Sequence, residues 1–167
     1  FELFGGECPT IMAHCVHSSE EEIALMKEKN VFVAHCPQSN TNIASGIAPI
    51  RIYLDKDMKV GLGSDVAGGA HLSIMRAMTD AIQYSKLRWR MYDQSLKPLN
   101  FEEAFYLATK GGGEFFGKVG SFEEGYEFDA LVLDDENLPH PQELTLKERL
   151  ERVVYLGDDR NVKNKYV

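Results

Sequence analysis

Three apolar runs in the first 65 residues each lead into a side chain that can hold a metal or a proton, and this repeat limits the folds open to the chain. Ile11-Met12-Ala13 runs into His14, Val31-Phe32-Val33-Ala34 into His35, and Val60-Gly61-Leu62-Gly63 into Ser64-Asp65. The last of these then turns sharply through Val66-Ala67-Gly68-Gly69. Helical patterns separate the runs. Ser18-Ser19 before Glu20-Glu21-Glu22 reads as an N-cap with acids in the first turn of a helix reaching about Lys29. A shorter helix is expected around Ala48 to Lys56. An order βαβαβα predicts parallel strands joined by right-handed crossovers. Parallel strands place their carboxyl ends on one rim, where α/β folds hold substrates and metals, so His14, His35 and Asp65 are expected near one another.

The segment Pro37-Gln38-Ser39-Asn40-Thr41-Asn42 is rich in Asn and Ser and reads as a polar loop. Beyond Gly68-Gly69, the spacing of Leu72, Met75, Met78 and Ile82 predicts an amphipathic helix of about twenty residues. Asn100 caps a further helix from Phe101 to about Lys110, which Gly111-Gly112-Gly113 is expected to break. The texture changes near residue 118, dividing the chain into 1–117 and 118–167. In the second part Phe128 to Asp134 reads as a compact strand, Lys147 to Arg152 as a charged segment, and Val153 to Gly157 as a last strand. Asp158 to Asn161 reads as a turn, with the start of another element at Tyr166-Val167. Only three parallel strands are expected, which leaves two edges open. The chain is then either a small doubly wound α/β domain or a piece of a larger α/β fold.

A formal charge of −8 with pI near 5.1 argues against a nucleic-acid partner, since neutralising phosphates needs clustered Lys and Arg. No apolar stretch approaches a membrane span, and Phe1 to Glu7 lack a basic signal-peptide start, so a cytoplasmic location without membrane contact is expected. Cys8, Cys15 and Cys36 are odd in number, and two sit beside histidines in strand-like segments, as reduced intracellular cysteines do.

Each candidate also has a plainer reading. Asp65 could cap the loop that follows it, and His14 or His35 could be a satisfied core histidine. The pairs His14-Cys15 and His35-Cys36 invite a structural zinc site, but strand neighbours point to opposite faces, so one pair cannot easily give two ligands to one ion. Gly61-x-Gly63 is not a dinucleotide fingerprint, because Val66 stands where the third glycine belongs.

Taken in order, Met12-Ala13-His14-Cys15-Val16-His17, Ala34-His35-Cys36-Pro37-Gln38-Ser39-Asn40 and Gly61-Leu62-Gly63-Ser64-Asp65 resemble the metal-dependent amidohydrolases of the zinc deaminase branch. Gly63 to Gly69 and Tyr155 to Asn161 resemble its guanine deaminase group in particular. The resemblance implies the last three βα units of a (β/α)8 TIM-like barrel, incomplete in this chain, with Gly125 to Leu133 and Val153 to Tyr166 contributing strands to a small composite β-domain. It implies Asp65 as a zinc ligand and proton acceptor, and His14 as the residue that orients the water and the forming oxyanion. His35 is at most a supporting residue behind them. The family's His-x-His pair, its further histidine ligand and its shuttle glutamate have no counterpart here, so the resemblance also implies a missing amino-terminal half of the same protein. The complete protein would be a Zn²⁺ enzyme acting on a small purine and working as a homodimer. Another ring deaminase or chlorohydrolase, or a small doubly wound binding domain with Asp65 as a modification or Mg²⁺ site, remain the alternatives.

Overall fold

The computed structural model describes residues 7–167, and the opening loop read at Phe1 to Gly6 lies outside them. Strands β1 (Ile11–Ala13), β2 (Phe32–His35) and β3 (Val60–Leu62) form one parallel sheet in chain order. Met12 lies opposite Val33, and Ala34 opposite Gly61. Each new strand is added on the same side of the last. Such a sheet winds in one direction, as a barrel wall does, whereas a doubly wound sheet reverses at a switch point.

The helices are α1 (Glu20–Glu28), α2 (Pro37–Asn42), α3 (Ile50–Asp55), α4 (Ile74–Met91), α5 (Phe101–Ala108), α6 (Lys110–Gly113) and α7 (Leu146–Leu156). A short antiparallel pair, β4 (Ala130–Leu133) and β5 (Val162–Tyr166), stands apart from the main sheet. Local signals set most helix starts. Ser19 with Glu22 and Asn100 with Glu103 form capping boxes, each satisfying two backbone N–H groups, and the Ser73 hydroxyl accepts from the Arg76 N–H.

Three expectations change. Pro37 to Asn42 is a helix rather than a loop: Pro37 occupies the first turn, where its missing N–H leaves nothing unsatisfied, and Thr41 Oγ1 donates back to the Pro37 carbonyl at 2.9 Å. Gly111 to Gly113 do not simply end α5. The chain breaks at Thr109 and then makes another helical turn that presses on β3, where a Cβ on Gly61 would fall 2.8 Å from the Gly112 Cα. Glycine is needed there because the two backbones nearly touch.

The third correction concerns Val153 to Gly157, which is no strand. Thr145 and Glu148 form a capping box, and α7 runs through the whole charged segment. Val153 and Val154 are both buried, which helical spacing permits and strand alternation on a one-sided sheet does not. The final strand is instead β5, which pairs Leu131 with Lys165.

Val33, Tyr53 and Leu107 are fully buried at the centre of a core that joins the sheet to α1, α3, α4 and α5. Tyr53 donates its hydroxyl hydrogen to the Cys15 carbonyl, so its polar end is satisfied inside that core. Helix α7 packs on α4 and adds Val154 to the same core, tying the last third of the chain to the sheet's helices.

Candidate active site

His14 and Asp65 follow directly on the ends of β1 and of β3 with its Gly63-Ser64 extension, on one rim of the sheet. Both have left-handed backbone, with φ of 71° at His14 and 47° at Asp65. Non-glycine residues adopt that region at a cost in free energy, and such positions gather at functional sites. Their side chains converge: His14 Nε2 lies 3.8 Å from Asp65 Oδ2, with 40% and 39% of the two side chains exposed. An imidazole and a carboxylate thus share a solvent-accessible rim although 51 residues separate them in sequence.

The loop after β3 explains its glycines. A Cβ on Gly69 would stand 2.2 Å from the Ser64 carbonyl oxygen, and one on Gly68 would stand 2.8 Å from Asp65 Oδ2. The Gly69 N–H donates to the Asp65 carbonyl at 2.6 Å, closing the turn that presents the carboxylate. Any side chain at Gly69 would have to open that turn.

Helix α2, read as a loop, supports both halves of the site. Asn40 Oδ1 accepts from His14 Nδ1 at 2.8 Å, Asn42 Nδ2 donates to the Gly68 carbonyl at 2.8 Å, and Gln38 Oε1 accepts from the Ala70 N–H. The available signal was a proline directly after a strand end, which starts a helix as readily as it starts a turn.

His35 stands apart from this pair. It is 2% exposed, shares the core side of β2 with Val33, and its Nδ1 has no hydrogen-bond partner among the described residues. Burial pushes its imidazole down to about 4, so it is neutral near physiological pH. Cys36 is also buried, and burial followed by the nearby Asp65 carboxylate pushes its thiol up to about 11. A thiol held neutral in this way is a poor zinc ligand, because the ion binds thiolate.

The donor set therefore fits zinc only in part. Asp65 offers an accessible carboxylate of the right type, with the His14 imidazole beside it. Among the described residues no group of three or more His, Cys, Asp or Glu side chains could enclose an ion. Three or four protein ligands are the rule for zinc.

The amidohydrolase family profile matches residues 3–167, and the chain belongs to that family. Its α/β fold is three βα units of an incomplete barrel of amidohydrolase type. Guanine deaminase of Dictyostelium discoideum is 42% identical over 165 residues, taking in 95% of this chain and 36% of that protein. The crystal structure of guanine deaminase from C. acetobutylicum with guanine bound in the active site superposes with a TM-score of 0.93 at 55% identity, covering 99% of this chain and 39% of that one. An adenosine deaminase from Xanthomonas campestris with bound zinc superposes with a TM-score of 0.78 at 25% identity, covering 94% and 35%. The chain thus spans little more than a third of the length of the relatives it matches.

Proposed function

We propose that the complete protein carrying this chain hydrolyses guanine to xanthine and ammonia with a zinc ion. The observation that carries the reading is the convergence of His14 and Asp65 on one rim, in a chain that superposes on a guanine-bound guanine deaminase over 99% of its length. In this reading Asp65 is a zinc ligand, and the others come from the part of the protein that lies outside the match, amino-terminal to it. Bound zinc would supply the Lewis acidity that makes water a nucleophile near neutral pH.

The chain's own residues then have distinct tasks. The Asp65 carboxylate, accessible on this rim and beside the His14 imidazole, accepts the proton that the attacking water loses. His14 Nε2, 3.8 Å from that carboxylate, accepts a hydrogen bond from the water as it closes on the purine carbon that carries the amino group, and once protonated steadies the oxygen as negative charge builds on it. The leaving amine departs as ammonia after taking up the proton that Asp65 received from the water, which restores the carboxylate. Residues 1–117 hold this half of the barrel site, and residues 118–167 contribute β4 and β5 to the small composite β-domain. The assembled protein is read as a cytoplasmic homodimer. No described helix is long and apolar enough to cross a membrane.

Product release by the complete protein, as ammonia from guanine and from adenosine and as chloride from a chlorotriazine, tests the reading. Turnover of guanine well above the other two is expected. A preference for either of the others would replace guanine as the substrate while keeping the hydrolytic chemistry.

A further inference from the structure

Asn40 is 1% exposed, and its Nδ2 is buried with no hydrogen-bond partner among the described residues, while its Oδ1 accepts from His14 Nδ1 at 2.8 Å. A buried amide with an unsatisfied donor weakens a fold, and a leucine of similar size would fill the same space without that penalty. The residue therefore needs a reason outside packing. Helix α2 holds it rigidly: its backbone carbonyl accepts from the Ser45 N–H at 2.8 Å, and its own N–H donates to the Cys36 carbonyl at 3.2 Å. The same helix ties down the loop that presents Asp65, through Asn42 and Gln38.

We propose that Asn40 is a positioning residue, which fixes the plane of the His14 ring and keeps its proton on Nδ1, so that Nε2 faces the Asp65 carboxylate. An imidazole has two tautomers, and the hydrogen bond made by one nitrogen selects what the other presents. The acceptor oxygen of Asn40 at Nδ1, at 2.8 Å, holds the proton there against the pull of the Asp65 carboxylate, 3.8 Å from Nε2, and so leaves the Nε2 lone pair facing the rim, ready to take a hydrogen bond or a proton from substrate or water. Without Asn40 the 40% exposed side chain of His14 is free to rotate and to carry its proton on either nitrogen. The catalytic consequence rests on the proposed deamination, whereas the tautomer does not.

The test uses the complete polypeptide. Asn40→Leu keeps the bulk, removes the unpartnered Nδ2 and leaves both backbone bonds of residue 40 in place, so its unfolding midpoint is expected to be no lower than that of the wild type. Imidazole nitrogen NMR, with His14 assigned through His14→Gln, should show the neutral ring protonated on Nδ1 in the wild type and as a mixture of tautomers in Asn40→Leu. With guanine, kcat should fall about 10- to 100-fold in the leucine variant with KM nearly unchanged. Asn40→Asp, which retains an acceptor oxygen, should keep the Nδ1 proton. A wild-type ring protonated on Nε2, or a leucine variant with unchanged tautomer and kcat, would overturn the proposal. Should the leucine variant fail to fold, the wild-type spectrum and that of Asn40→Asp still decide it. A wild type inactive toward guanine but protonated on Nδ1 would sink the proposed function and leave the role of Asn40 standing.

Discussion

Asp65 combines charge, exposure and a strained backbone in one residue, and removing only its charge is the most informative change. Asp65→Asn in the complete protein is expected to lower guanine turnover by about 10²- to 10⁴-fold, the range typical of losing a general base. Near-normal turnover with zinc retained would reduce Asp65 to a loop cap. Metal content separates the two rim residues: Asp65→Ala should lose more zinc than His14→Ala, because His14 is read as touching water and oxyanion rather than the ion. His35 supports a prediction about stability. Its folded pKa is depressed from 6.5 to about 4, so between these values the unfolded chain binds a proton that the folded chain refuses. Its contribution is therefore fully present above about pH 6.5 and is lost as pH falls toward 4, the loss amounting to about 3 kcal/mol by the acid end. Denaturation midpoints from neutral pH down to pH about 5 should drop less in His35→Leu than in the wild type. Equal slopes would mean that another group governs the acid limb.

At the scale of elements, short-range chemistry decided more than composition. Helix α7 owes its start to Thr145 and Glu148, whose side chains satisfy each other's backbone N–H groups. Thr145→Ala is expected to destabilise the fold by about 1 kcal/mol, read from thermal or denaturant unfolding, with Thr145→Ser recovering most of it. If residues 153–157 were a strand, as their run of Val, Val and Tyr invites, the cap would be irrelevant and the substitution silent. Helix α2 is a similar case. Its six residues carry almost no helical propensity, and it forms because a strand end, a proline and the polar contacts to the His14 ring and the Asp65 loop meet there.

The molecule as a whole has surfaces that a self-sufficient domain would cover. Among the described residues, β1 and β3 are each paired on one side only, Ile11 is 46% exposed on β1, and Leu72, Phe116 and Phe122 are each more than 70% exposed. Phe122, Phe128 and Tyr166 form an aromatic row against the β4–β5 pair, with ring centroids 5.9 and 6.3 Å apart. Two strands alone make a marginal sheet, and open parallel edges invite pairing. Residues 1–167 expressed alone are therefore expected to self-associate and to show no guanine deaminase activity with added Zn²⁺, while co-expression with the amino-terminal part restores both solubility and activity. Sedimentation together with an ammonia assay checks this. Activity from the isolated chain would overturn the assignment of the remaining ligands to another part of the protein.

The parallel sense of the three strands, the rim on which His14 and Asp65 fall, and most helix starts could be read from the sequence, because they depend on periodicity and on caps that act within a few residues. The boundaries of β1, β2 and β3 lie within a few residues of the apolar runs that announced them. Tertiary structure alone decided that His35 turns inward, since alternation on β2 fixes which face a residue takes and only packing tells which face is the core. It alone made α2 a helix and placed Asn40 against His14, a contact across 26 positions with no local signature. It also settled α7 over a strand, because Val153 and Val154 suit either conformation until the flank of α4 offers them one shared face to bury.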